Sequence, residues 1–306
     1  VSRAEHVILE CHDLTKRYRG TEAVVSATVA FERGAIHGLL GANGAGKTTL
    51  LHILSGQIYP SSGKCLYEGQ PIHENPLAMS QICFVKSDER AWSDYKIKDL
   101  MTFCSLLIPT WDQSYAEQLL RLFHLSANKK YKNLSKGMQS LVGIVKGLAS
   151  RCPVVLFDEP TLGLDADMRE TFYDLLIRDY GESQRTIILS THLIDESAKL
   201  FQYLTLLEHG KITSHLETEE FMKQAYYLQG NSSILERLMP DERVLHHERL
   251  GSTSIVVWCG QLEEEMSLRQ QGVEISPVPL QKLFVYLTRK NKRSHGKEEL
   301  PHEIIS

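Results

Sequence analysis

Three features of this chain predict an α/β fold built around a largely parallel sheet. The apolar run Ala35-Ile36-His37-Gly38-Leu39-Leu40 leads straight into Gly41-Ala42-Asn43-Gly44-Ala45-Gly46-Lys47-Thr48. A second run, Pro153-Val154-Val155-Leu156-Phe157, ends in the acid pair Asp158-Glu159, and a third, Thr186-Ile187-Ile188-Leu189-Ser190, ends in Thr191-His192. Short apolar runs bounded by turn signals read as strands buried on both faces, as in sheets covered by helices. Ligands of such sheets collect outside the carboxyl ends of the strands, which is where each run delivers its polar residues.

The first junction fits the phosphate-cradling pattern G-x-x-x-x-G-K-[ST] in its required strand–loop–helix setting. A helix is predicted over Thr49-Leu50-Leu51-His52-Ile53-Leu54-Ser55, stopped by Gly56. Gly41, Gly44 and Gly46 leave room for successive backbone N–H groups to converge on phosphate oxygens, with Asn43 and Ala45 between them. The helix start at Thr49 adds partial positive charge, Lys47 bridges the β- and γ-phosphates, and the Thr48 hydroxyl ligates Mg²⁺. An eight-residue match is short enough to arise by chance. The acid pair, 110 residues beyond Thr48, argues against chance. A buried strand carrying two carboxylates to its end suits Asp158 as the Mg²⁺-side acid and Glu159 as the base facing the attacking water. Two solvated acids in a turn, the bland alternative, would not need an apolar strand to present them.

Between these motifs stands Leu134-Ser135-Lys136-Gly137-Met138-Gln139. With it the chain resembles the ATP-binding cassette (ABC) ATPases, whose corresponding stretch usually reads L-S-G-G-Q. The resemblance implies a P-loop NTPase fold of the ABC type, with a mixed sheet core, an antiparallel β subdomain and a helical subdomain. It implies that Ser135 and Gly137 bind the γ-phosphate of a nucleotide held by an opposite subunit. Lys136 and Met138 depart from the usual residues and are similar to an L-S-K-G-M branch of bacterial exporter ATPases. Read without the family, Ser135 is a helix N-cap, and both readings use the same N–H groups.

The remaining motifs follow in family order. Tyr18, in Leu14-Thr15-Lys16-Arg17-Tyr18, matches the aromatic that stacks on adenine, and Asp165, in Leu162-Gly163-Leu164-Asp165, matches the loop that touches the partner subunit. His192 resembles the switch histidine, whose imidazole reaches the γ-phosphate and holds the water and Glu159 in line. Ser87 stands where the family has a glutamine that senses Mg²⁺, which makes it a metal-side position with about 3 Å less reach. Asp88 or Glu89 could substitute for that glutamine.

Composition sets the outer bounds. The chain has 306 residues, 42% of them hydrophobic, a net charge of −4, and no apolar run long enough to span a bilayer. This balance argues against wholesale nucleic-acid binding. Six cysteines, at 11, 65, 83, 104, 152 and 259, lack zinc or disulfide spacing and fit a reducing cytoplasm, and no signal-like segment opens the sequence. Residues 6–212 carry all the nucleotide motifs, with a helix-rich insert over 90–150. Residues 213–290 change texture to a β-α-β-β-α-β order, a split-βαβ appendage closed by a helix over 280–287, and residues 291–306 read as a flexible tail.

Within these bounds the resemblance implies the ATPase subunit of an ABC exporter, with ATP and Mg²⁺ as its cofactors. Two ATP-Mg sites would be sandwiched in a homodimer or related heterodimer. Separately encoded transmembrane permease subunits would hold the dimer at the cytoplasmic face of the membrane and select peptides or hydrophobic compounds. The alternatives are a soluble cassette acting on ribosomes or nucleic acid and an ATP-binding clamp with little hydrolysis. The first usually carries two tandem cassettes or a long coiled coil, and this chain shows one cassette with a short interval before Ser135.

Overall fold

The computed structural model describes residues 6–86, 89–239, 241–262 and 265–295; Ser87, Asp88 and residues 296–306 lie outside them. The chain divides into two compact units, Val1–Leu216 and Glu217–Ser306.

In the first unit an antiparallel sheet is formed by β1 (Val7–Tyr18), β2 (Thr21–Glu32), β4 (Ser62–Tyr67) and β5 (Gln70–Pro71), ordered β2-β1-β4-β5. The second sheet holds β3 (Ile36–Leu40), β6 (Ile82–Val85), β7 (Val154–Asp158), β8 (Thr186–Ser190), β9 (Tyr203–Glu208) and β10 (Lys211–Glu217). Its order is β10-β9-β3-β8-β7-β6. Strands β9, β3, β8, β7 and β6 run parallel, and every residue of β3, β7 and β8 is buried. That is why these strands read as continuous apolar runs rather than alternating ones. Helix α1 (Lys47–Leu54) follows β3 and puts Leu50, Leu51, Ile53 and Leu54 into the core shared with Leu39, Leu156 and Ile188.

Between β4 and β7 lie α2 (Pro76–Ser80), α3 (Ile97–Leu107), α4 (Gln113–Leu122) and α5 (Lys136–Ala149). The apolar stripes expected over 97–103 and 115–123 are the buried faces of α3 and α4, carried by Ile97, Leu100 and Met101 and by Ala116, Leu119 and Leu120. Helix α6 (Ala166–Ser183) follows β7 and α7 (Ile194–Ser197) follows β8. Asp179 on α6 is fully buried and serves two guanidinium groups, accepting from Arg151 at 2.9 Å and from Arg185 at 2.6 Å.

His37 is fully buried on β3. Its Nε2 donates to the Glu32 carbonyl at 2.9 Å, and its ring stacks on Tyr203 with centroids 5.1 Å apart. Burial pushes the imidazole from its ordinary 6.5 down to about 4, against the pull of the Glu32 carbonyl and carboxylate. The ring is thus neutral in the fold but protonated in the unfolded chain below 6.5, so stability falls as pH drops from 6.5 toward 4. Burial raises the Glu32 carboxyl, but His215 and His37 bring it below its ordinary 4.5, so it titrates beneath most of this window. The slope is about 1.4 kcal/mol per pH unit, or roughly 2 kcal/mol between pH 6.5 and pH 5. Urea unfolding at the two pH values should show this loss, and His37→Gln should remove it.

The second unit begins with α8 (Thr218–Met222) and continues as β11 (Ala225–Asn231), α9 (Ser232–Leu235), β12 (Val244–Leu250), β13 (Thr253–Cys259), α10 (Glu265–Gln270) and β14 (Glu274–Pro277). All neighbours in its sheet, ordered β12-β13-β11-β14, are antiparallel. Leu228, Leu235, Val256, Trp258, Leu268 and Val273 form its core. The helix expected over 234–238 is a single α turn followed by a 3₁₀ turn. The closing helix α11 spans Leu280–His295, five residues into the stretch expected to be flexible. No glycine or proline interrupts the sequence between Leu280 and Gly296, so nothing local stops the helix earlier.

Candidate active site

Three neighbouring strands build the site at their carboxyl ends. Leu39 on β3 and Asp158 on β7 both pair with Ser190 on β8, so the loop after β3, the acids after β7 and His192 after β8 emerge side by side. The loop itself is held by close backbone approaches. A Cβ on Gly41 would lie 2.4 Å from the Leu207 carbonyl oxygen, and one on Gly46 2.2 Å from that of Ala23. Gly46 also has φ +107°, a conformation that L side chains rarely adopt. Ala45 is buried, its carbonyl accepting from Gly210 N–H at 2.9 Å, while Asn43 and Gly44 are exposed at the loop crest and Thr49 is half-buried. Lys47 is buried and folds its Nζ back onto the Gly41 carbonyl at 2.7 Å and the Ala42 carbonyl at 3.3 Å.

Thr48 Oγ1 donates to Asp158 Oδ2 at 2.8 Å, and Ser190 Oγ donates to Asp158 Oδ1 at 2.7 Å. The carboxylate is therefore fixed from both sides, with the hydroxyl of the phosphate loop already beside it. No cluster of three or more His, Cys, Asp or Glu side chains among the described residues could hold an ion by itself. One carboxylate beside one hydroxyl fits Mg²⁺, which is held by few protein ligands together with substrate phosphates and water.

Glu159 adopts φ +49°, unusual for a residue with a side chain. The strain is held by its N–H, which donates to both the backbone carbonyl and the hydroxyl of Ser190 at 3.1 Å. The turn sends the carboxylate to His192, whose Nδ1 lies 2.7 Å from Glu159 Oε2. The structure thus brings Lys47, Thr48, Asp158, Glu159 and His192 together. Ser190 escaped the sequence reading although it ties Asp158 to Glu159; its position two residues before His192, at the end of an apolar strand, was the available signal.

The other expected residues lie elsewhere. Tyr18 ends β1 with its ring half exposed and the Lys16 ammonium 5.3 Å from its centroid. Ser135 caps α5, accepting from Met138 N–H at 3.2 Å. Gly137 packs so closely on the turn after Glu159 that an added Cβ would sit 2.3 Å from the Gly163 carbonyl oxygen. Asp165 caps α6, accepting from Met168 N–H at 2.9 Å. Ser87 and Asp88 fall outside the described residues. Glu89 is buried and ion-paired with Lys146 at 3.2 Å, which gives it a structural partner.

The chain is similar to several known proteins. A family model described as ABC transporter matches residues 25–162. The putative ABC transporter ATP-binding protein AlbC of Bacillus subtilis (strain 168) is 32% identical over 218 residues, covering 67% of this chain and 90% of that one. The Nod factor export ATP-binding protein I of Cupriavidus pinatubonensis (strain JMP 134 / LMG 1197) is 32% identical over 210 residues, 67% of this chain and 64% of that one. A solved ATP-binding subunit of an ABC transporter superposes with a TM-score of 0.63 at 22% identity, covering 71% of this chain and 92% of that one. On these grounds the chain belongs to the ATP-binding proteins of ABC transporters, and it is an ATP-hydrolysing enzyme.

Proposed function

We propose that this chain powers export through separately encoded transmembrane subunits, closing as a dimer around two ATP-Mg sites. The observation that carries the catalytic part is the Glu159–His192 contact of 2.7 Å beside the Asp158–Thr48 pair. Lys47 would exchange its loop carbonyls for β- and γ-phosphate oxygens, and the loop N–H groups would hold the rest of the phosphate chain. Mg²⁺ held through Thr48 and Asp158 would neutralise charge on the phosphates. Glu159 accepts the proton of the attacking water while His192 keeps the carboxylate aimed. Ser135 and Gly137 of a second copy would complete each site, and Asp165 would meet that copy at the seam.

Export is favoured by the Lys136–Met138 form of the signature and by likeness to the Nod factor export protein. No helix among the described residues is long and apolar enough to cross a membrane, so a partner would supply the pathway. Affinity purification from detergent-solubilised membranes tests this reading. Recovery of a stoichiometric multi-span protein whose presence raises ATP turnover supports it, and association with ribosomes alone would sink it.

Adenine stacking on Tyr18 makes a separate prediction. Base–aromatic stacking contributes about 1–3 kcal/mol, so Tyr18→Ala should raise KM for ATP about tenfold and leave kcat within twofold. Steady-state phosphate release would show it.

A further inference from the structure

We propose that Arg169 is a positioning residue for hydrolysis, clamping the partner-facing turn to the segment that carries His192; this rests on the assignment of Glu159 and His192 above. Arg169 lies on the first turn of α6, four residues beyond Asp165. Its guanidinium makes three directed contacts. Nη1 donates to the Leu164 carbonyl at 2.9 Å, Nε donates to Glu196 Oε2 at 2.8 Å, and Nη2 donates to Glu196 Oε1 at 3.1 Å. Glu196 belongs to α7, four residues beyond His192.

These contacts close a ring. Glu159 is joined through a five-residue step to Leu164, Leu164 through Arg169 to Glu196, Glu196 through a four-residue step to His192, and His192 back to Glu159 at 2.7 Å. The turn in this ring is anchored on its other side by α5, where Ser140 Oγ donates to the Leu162 carbonyl at 2.7 Å and Gly137 abuts Gly163. A displacement of Leu162–Asp165, where the second subunit would press, therefore moves the Leu164 carbonyl on which Arg169 rests. Through Glu196 it reaches the histidine.

The pair is poorly suited to a role in global stability. The side chains of Arg169 and Glu196 are 22% and 43% exposed, and exposed ion pairs contribute little. Its geometry is instead that of a fork holding a planar carboxylate while a third N–H holds a loop carbonyl, which fixes orientation and which a lysine cannot reproduce.

The test is a double-mutant cycle on the full chain with Arg169→Gln, Glu196→Gln and the combination, plus the exchanged pair Arg169→Glu/Glu196→Arg. Each single variant should lower kcat about tenfold with KM for ATP within twofold and the melting temperature within about 2 °C. The combined variant should be no slower than either single one, and the exchanged pair should regain part of the rate. Multiplicative losses in the combined variant, unchanged kcat, or a melting temperature that falls in step with kcat would overturn the proposal.

A second readout needs no turnover. In histidine-selective NMR of nucleotide-free protein, the His192 signal should move in both single variants, and an unmoved signal would overturn the clamp. Glu159→Gln serves as the control for the underlying assignment. If that variant hydrolyses ATP at the wild-type rate, the base assignment fails, while the His192 signal still decides whether Arg169 holds the histidine.

Discussion

Glu159→Gln should slow phosphate release about a thousandfold while ATP still binds. The carboxylate sits at the end of a buried strand in a strained backbone conformation, with its N–H fixed by Ser190 and its Oε2 fixed by His192. An amide of nearly the same shape keeps these anchors but cannot take a proton from water. Positioned general bases contribute roughly 10²–10⁴-fold, and the expected loss falls within that range. The variant should melt within about 1 °C of the wild type, because only the proton-accepting capacity of a partly exposed group is lost. A rate within a factor of three of wild type would remove the base assignment.

Gly46→Ala should damage both folding and nucleotide binding. At φ +107° a side chain is strained, and the added methyl carbon would lie 2.2 Å from the Ala23 carbonyl oxygen, which belongs to β2 and has little freedom to withdraw. The combination should cost about 2–4 kcal/mol of stability. The displaced loop can no longer converge its N–H groups, so ATP affinity should fall at least a hundredfold. Gly44→Ala is the internal comparison. Its φ is +79° but nothing lies within 4 Å of the added carbon, so only backbone strain of about 1 kcal/mol is expected. Calorimetric melting and fluorescent-nucleotide titration of the two variants would separate clash from strain. Equal effects at both positions would show that the approach to Ala23 is not what holds the loop.

The parts of this site legible in the sequence are those whose chemistry is local. A phosphate loop needs glycines, a lysine and a hydroxyl at fixed spacing, and a buried parallel strand announces its end by the switch from apolar to polar, as at Phe157-Asp158-Glu159 and Leu189-Ser190-Thr191-His192. What stayed hidden depends on which strands lie side by side. Ser190 holds Asp158 only because β8 is inserted between β3 and β7, an order that no spacing along the chain expresses. Arg169 and Glu196 are 27 residues apart and look like ordinary helix-surface charges until α6 and α7 are packed. In the second unit the succession of strands and helices along the chain was readable from its changes of pattern, whereas the sheet order β12-β13-β11-β14 was not. Nor was the reach of α11 beyond residue 290, because a run of basic residues suits a solvated tail as well as a helix.

In the proposed dimer each ATP is completed by residues of a second copy, with Ser135 and Gly137 facing the phosphates held by Lys47 and Thr48. Sedimentation of the Glu159→Gln protein in saturating Mg·ATP distinguishes this shared site from a self-sufficient monomeric one. Dimers that form only with nucleotide, and that Ser135→Arg returns to monomers, are the predicted result. A protein that binds Mg·ATP yet remains monomeric at every concentration would contradict it.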